Sequence, residues 1–204
     1  MPTEDPTARR PTRARILDAA HELMLSLGMA RTTTKEIARA ADCSEAALYK
    51  YFASKQELFV AVLGERLPRL GPLMERLARD PGARSVEDNL TEIARVAALF
   101  YEQSFPIAAS LYAETQLKLR HEDAQRQIGA GPHLPIEGLA DYLRAEQRAG
   151  RIRAEADAFT AAALLMGACC QRAFAYDATE AGRSPQPLDE FARAAARTLL
   201  AGLG

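Results

Sequence analysis

The chain reads as a succession of helical stripes. Ile16, Leu17, Ala20, Leu23, Met24 and Leu27 recur at steps of three and four, which places them on one helical face. Thr12 is placed to cap this first helix and Gly28 to end it. A shorter stripe of Ile37, Ala38 and Ala41 follows, and then Leu48 and Phe52 at i and i+4. Thr33 with Glu36 makes a capping box, in which hydroxyl and carboxylate each take an orphan backbone N–H. Ser44 is a good N-cap for the next helix, and Ser54 with Glu57 makes a second box. Asp42-Cys43-Ser44 is too short for a linker, and Asp tolerates left-handed backbone. Tyr49, Lys50 and Tyr51 point away from the apolar stripe. Two short helices, a tight turn and an exposed aromatic-basic ridge predict a helix-turn-helix of the kind that reads DNA.

The remaining pattern is also helical. Leu58, Phe59, Val62, Leu63, Leu67, Leu70, Met74 and Leu77 predict a fourth helix over 54–79, kinked at Pro68 and Pro72. Asp80-Pro81-Gly82 breaks the chain, and Ser85 with Asp88 caps a fifth helix carrying Val86, Leu90, Ile93, Ala97 and Phe100. Pro106 is expected to restart the chain into a sixth helix, suggested by Ile107, Leu111, Tyr112, Leu117 and Leu119. Gly129 to Pro132 reads as a loop, because the glycines follow no strand and lack the rest of a phosphate-binding motif. Leu134 to Ala149 predicts a seventh helix, about 155–177 an eighth rich in Ala, and about 187–202 a ninth. No strand pattern appears. The expected fold is all-α with about nine helices, arranged as a flexible arm (1–11), a three-helix domain (12–53) and a larger helical bundle (54–204).

Composition narrows the class. With 204 residues, 48% of them hydrophobic, the chain can bury a sizeable core. It holds no apolar run of about 18 residues and no apolar stretch after its N-terminal charges, so neither a membrane span nor a secretory signal is expected. The three Cys form no disulfide framework, which suits a reducing cytoplasm. Net charge is −1. Residues 1–60 carry nine Lys and Arg against eight Asp and Glu, so a positive face must come from geometry. Arg9, Arg10, Arg13 and Arg15 cluster without an acid, either as a solvated tail or as phosphate contacts.

The segment IARAADCSEAALYKYFASKQELF resembles the signature of the TetR family of bacterial transcription regulators, in which a helix-turn-helix is followed by L-Y-x-[HY]-F-x-[SN]-K-[ED]-x-L. Leu48, Tyr49, Tyr51, Phe52, Ser54, Lys55 and Leu58 match it. Asp42 stands where the family usually has a turn Gly, Cys43 replaces a Val or Ile, and Glu45-Ala46 replaces a common Lys-Gly pair. The resemblance covers about the first quarter of the chain. It implies that helix four connects a DNA-binding domain to a second domain, and that helices four to eight enclose a small-molecule site. It also implies that Tyr51 and Lys55 occupy phosphate-contacting positions. On that basis Phe100, Leu111, Tyr112, Gln116, Tyr142, Met166, Cys170 and Phe174 are candidate lining residues for a partly apolar effector. At helical spacing the same residues could equally be core.

In the DNA-binding reading, Ser44, Glu45, Ala46 and Tyr49 face base edges in the major groove, and Lys50 shares their ridge. Glu45 could accept from a cytosine amine, or serve only to complement its helix N-terminus. Thr33, Thr34 and Lys35 open the preceding helix, whose free N–H groups suit a phosphate, and Arg13 adds a cation from helix one. One such unit reads a half-site, so a homodimer on a palindromic double-stranded operator is expected, joined through the last two helices, about 157–177 and 187–202.

Catalytic motifs are missing: there is no G-x-S-x-G, P-loop or H-E-x-x-H, and no paired carboxylates in a cleft. His121-Glu122-Asp123 lacks further ligands at metal spacing, so neither metal nor cofactor is expected, and His21 reads as structural. Cys169 and Cys170 point about 100° apart on a helix, which disfavours a disulfide between them. The functional expectation is an effector-released repressor. A transcriptional activator or partner-dependent regulator of the same fold is the alternative, and an all-α enzyme or ligand carrier is a third.

Overall fold

The computed structural model describes residues 11–29, 31–68, 70–112, 115–127, 131–176 and 186–203, with side chains for all of these except 106–112, 116, 117, 120, 124, 127, 175 and 176. Among the described residues there are ten α-helices and no strand. They are α1 Thr12–Leu27, α2 Thr34–Ala40, α3 Glu45–Tyr49, α4 Lys55–Glu65, α5 Leu70–Arg79, α6 Val86–Tyr112, α7 Thr115–Gln127, α8 Leu134–Arg148, α9 Ala158–Tyr176 and α10 Leu188–Leu203. The chain divides into two compact units, Met1–Leu67 with Pro106–Ile128, and Pro68–Phe105 with Gly129–Gly204.

The core of the first unit contains Ile16, Leu17, Met24, Ile37, Leu48, Phe52, Leu58, Phe59 and Val62, drawn from α1 to α4 and the turns between them. Removing each such large side chain from water contributes about 1.5–3 kcal/mol. The first helix begins one residue earlier than expected. Pro11 takes the cap position without a side-chain bond and Thr12 is already helical, which suits Pro, since it has no N–H to satisfy. At the other end Gly28 turns with φ of 76°, and its N–H returns to the Met24 carbonyl at 3.0 Å. The buried Thr32 hydroxyl donates to the Gly28 carbonyl at 2.8 Å, which fixes the exit of the chain toward α2. On α7, His121 packs edge-on against Phe59 of α4 with ring centroids 4.9 Å apart.

The expected fourth helix is two helices. Proline disfavours α backbone at the preceding Leu67 and removes an N–H, so α4 stops at Glu65 and α5 starts at Leu70. Pro72 does not break α5, because it lies in the first turn, where no N–H has a helical partner. The expected break before Pro106 is likewise absent. α6 runs without interruption from Val86 to Tyr112, its Leu90, Ile93, Ala94 and Ala97 face held in the core, so the one hydrogen bond that Pro106 removes does not end it. Ile107, Leu111 and Tyr112 therefore belong to α6, and Leu117 and Leu119 to α7.

In the second unit, α5, the first part of α6, α8, α9 and α10 pack around Met74, Leu77, Leu90, Ile93, Tyr142, Leu143, Leu165 and Met166. Gly138 of α8 lets α5 approach closely: a Cβ there would lie 3.1 Å from Met74 Cε. Ala158, Ala161, Ala162 and Ala173 line the buried side of α9. Asp157 caps that helix, accepting from the Phe159 and Thr160 N–H groups at 3.0 and 3.2 Å. Glu146, wholly buried, is paired with Arg151 at 2.6 Å, and Arg151 also donates to the Gly82 and Arg84 carbonyls. No described helix is long and apolar enough to cross a membrane.

Candidate nucleic-acid interface

The candidate face is built from local bonds. Thr33 and Glu36 form the full capping box at the start of α2: the Thr33 hydroxyl accepts from the Glu36 N–H, and the Glu36 carboxylate accepts from the Thr33 N–H at 3.0 Å. The Thr33 hydroxyl also donates to that carboxylate at 2.8 Å, and this bond, followed by the one from the Thr33 N–H, holds the Glu36 carboxyl below the usual carboxylate range. α2 ends with the Asp42 N–H on the Arg39 carbonyl and the Cys43 N–H on the Ala38 carbonyl, the paired bonds of a Schellman motif. That motif requires left-handed backbone, and Asp42 supplies it with φ of 51°. Arg15 of α1 pairs with Asp42 at 3.6 Å.

Ser44 then caps α3, its hydroxyl accepting from the Ala47 N–H at 3.1 Å. Within α3 only Leu48 is buried, and the following Phe52 joins it in the core. These two anchors leave Ser44, Glu45, Ala46, Tyr49, Lys50 and Tyr51 exposed. Ser54 caps α4 by accepting from the Glu57 N–H at 3.0 Å, while the Glu57 carboxylate reaches one residue further back than expected, to the Ala53 N–H. Lys55, half-buried, opens α4, and its charge helps to hold the Glu36 carboxyl down.

Several assigned side chains already have partners. The Thr34 hydroxyl donates to Glu45 Oε1 at 2.5 Å. Arg13 forks onto Glu65 at 2.8 and 2.6 Å and lies 5.3 Å over the Phe52 ring. Lys35 is exposed beside a cleft of about 710 Å³ shared with Arg39, Cys43 and Glu45. Arg39, exposed on the same face, was not singled out in the sequence, although its place one turn before Cys43 on α2 is a usable signal.

In the second unit the candidate lining residues separate by burial. Tyr142 and Met166 lie within the core, and burial pushes the Tyr142 phenol up, with Glu146 beside it acting in the same direction. Phe100 packs edge-on with Tyr101 at 5.4 Å, Cys170 is half-buried, and Phe174 is 60% exposed with its ring 5.5 Å from Phe105. Leu111, Tyr112 and Gln116 lie in α6 and α7 outside the described side chains. The Cys169 thiol is buried and donates to the Ala94 carbonyl at 3.5 Å, and desolvation pushes its pKa up to about 12, which disfavours the reactive thiolate. Arg172 engages Glu102 and the Gln186 carbonyl and lies over Phe191. α9 and α10 leave between them an apolar groove of about 750 Å³, bordered by Leu164, Leu165, Phe191, Ala195 and Leu199.

Residues 16–62 match the family described as "Bacterial regulatory proteins, tetR family". The chain is 44% identical over 71 residues to an uncharacterized HTH-type transcriptional regulator, YvkB, of Bacillus subtilis, a match that covers 35% of this chain and 38% of that protein. The chain thus spans little more than a third of the length of that relative. Among solved structures it superposes on a putative TetR-family transcriptional regulator from Mesorhizobium loti with a TM-score of 0.71 at 23% identity, covering 98% and 100% of the two chains. It superposes on the transcriptional regulator FadR from Bacillus subtilis in complex with stearoyl-CoA with a TM-score of 0.67 at 16% identity, covering 94% and 99%. These likenesses establish the fold of the whole chain. Over residues 16–62, the chain carries the helix-turn-helix domain of the TetR family of bacterial regulatory proteins.

Proposed function

We propose that the protein is a ligand-responsive, DNA-binding transcriptional repressor that binds a palindromic operator as a homodimer and is released by a small molecule. The observation that carries this reading is the presentation of α3. One buried side chain within it and a Schellman turn before it leave Glu45, Ala46, Tyr49, Lys50 and Tyr51 exposed on a rigid scaffold. A five-residue helix held this way has little use other than to offer a surface to a partner. With Lys35, Arg39 and Lys55 nearby, that partner is the major groove and its flanking phosphates. Arg13, Thr33 and Thr34 stand at the phosphate-facing edge of this surface.

The apolar face of α9 and α10 supports the homodimer, since Leu164 is 64% exposed and borders the groove. The effector is taken to be partly apolar, with Phe100, Tyr142, Met166, Cys170 and Phe174 of the second unit among its contacts. Release requires that the effector bind one of two protein conformers better than the other. The test is selection of duplexes from a random pool by the purified chain. Recovery of a palindrome with two half-sites about one helical turn apart is expected. Recovery of no enriched sequence would overturn the assignment.

A further inference from the structure

Thr34 opens α2, yet its hydroxyl serves α3. It donates to Glu45 Oε1 at 2.5 Å, and the Tyr49 hydroxyl lies 3.5 Å from the same Thr34 oxygen. A threonine hydroxyl has one proton. With that proton on Glu45, the longer contact has Tyr49 as its donor. The exposed Glu45 and Tyr49 are thereby tied to a common point on the neighbouring helix, and Glu45 Oε2 has no partner among the described residues.

A carboxylate on a DNA-reading face is unusual. It repels phosphates of every sequence, so it raises affinity only where a donor meets it. In the major groove the base donors are the exocyclic amines of cytosine and adenine. Adenine sets its N7 acceptor beside the amine and suits an amide; a carboxylate, which only accepts, would face that N7 with a lone pair. Cytosine offers the amine alone. Orientation then decides the discrimination, because a freely rotating Glu could also reach water or a neighbouring base. The Thr34 bond removes that freedom by occupying Oε1.

We infer that Thr34 is a positioning residue for base discrimination, holding Glu45 so that its second carboxylate oxygen selects a cytosine amine in each half-site. This rests on the reading above that α3 enters the major groove. The test compares the full chain with Thr34→Val, Thr34→Ser and Glu45→Ala, each used to select duplexes from a random pool and then titrated against the four base pairs at the affected position. Wild type should favour cytosine there by roughly tenfold, as expected for one well-placed contact. Glu45→Ala should abolish the preference while binding non-specific duplex at least as tightly as wild type. Thr34→Val should shrink the preference, read as the ratio between base pairs within each protein, to about twofold, and Thr34→Ser should restore it. Should Thr34→Val lose helicity, Thr34→Ala is read in its place. A cytosine preference that survives loss of the Thr34 hydroxyl overturns the inference, as does a wild-type protein with no Glu45-dependent position. A wild-type protein that binds no duplex at all removes the DNA-binding reading itself, which is a separate outcome.

Discussion

Arg13 and Glu65 stand 52 positions apart, yet the guanidinium of one grips the carboxylate of the other through two bonds, Nη1 to Oε2 at 2.8 Å and Nη2 to Oε1 at 2.6 Å. The pair joins the start of α1 to the end of α4, and the Arg66 bonds to Asp18 at 2.7 Å and to the Ala14 carbonyl reinforce the same junction. Both partners of the Arg13 pair are about 40% exposed, so the pair contributes only about 0.2–1 kcal/mol to stability. Its larger consequence concerns DNA. In the proposed DNA complex, a phosphate would compete with Glu65 for Arg13. Glu65→Gln should therefore leave thermal stability within a few degrees while strengthening binding to every duplex. It should also steepen the salt dependence by about one further released ion. Titration at several salt concentrations measures both; an unchanged slope would remove Arg13 from the phosphate contacts.

Leu48 is the one buried residue of α3, and its removal separates scaffold from surface. Leu48→Ala should destabilise the protein by about 2–5 kcal/mol, the usual cost of such a cavity. Tyr49, Lys50 and Tyr51 are untouched, but the platform that presents them is lost. Binding should fall for specific and non-specific duplexes alike. Denaturant unfolding together with a binding titration checks this.

The pH dependence of the first unit should reflect its two histidines. His121 and His21 both have lowered pKa values, burial being the largest cause in each case, and His121 meets the Phe59 ring. Well above pH 6.5 both are neutral whether folded or not, and contribute nothing to the pH dependence. As pH falls below about 6.5, the unfolded chain takes up protons that the folded chain does not, so stability declines until the folded pKa is passed. His121→Leu, which keeps the apolar contact with Phe59 and cannot titrate, should reduce this decline between pH 7 and 5. Equal slopes in the two proteins, measured by urea unfolding, would exclude His121 as a source.

The parts of the fold legible in the sequence are those set by neighbours a few residues apart. The Thr33–Glu36 box, the Ser44 and Ser54 caps and the left-handed Asp42 are local chemistry, and each is where the pattern puts it. Proline was legible only in part. Pro68 separates two helices, Pro72 sits harmlessly in a first turn and Pro106 lies inside a continuous helix, because its cost depends on position in the turn and on what the flanking residues bury. Partners across helices were not legible at all. Nothing in the spacing of Thr34 and Glu45, or of Arg13 and Glu65, indicates that they meet. Apolar residues at helical spacing had the same ambiguity: Met166 is in the core, while Phe174, eight residues on, is mostly exposed.

That exposed apolar surface gives the last prediction. Leu164 is 64% exposed on α9, a position where a large apolar side chain gains nothing for a lone chain. With Leu165, Phe191, Ala195 and Leu199 it borders the α9–α10 groove, so a second copy seated there would cover a continuous strip. Leu164→Glu should leave each chain's fold within about 0.5 kcal/mol, as expected for an exposed site away from special features. In a dimer the same change buries two unpaired charges, because a two-fold interface repeats every substitution. Sedimentation at micromolar concentration should then find a dimer for the wild type and a monomer for the variant. Operator affinity should fall steeply, because each half-site would be bound alone, while non-specific affinity per chain should barely change. A variant that stays dimeric would place the interface elsewhere on the molecule.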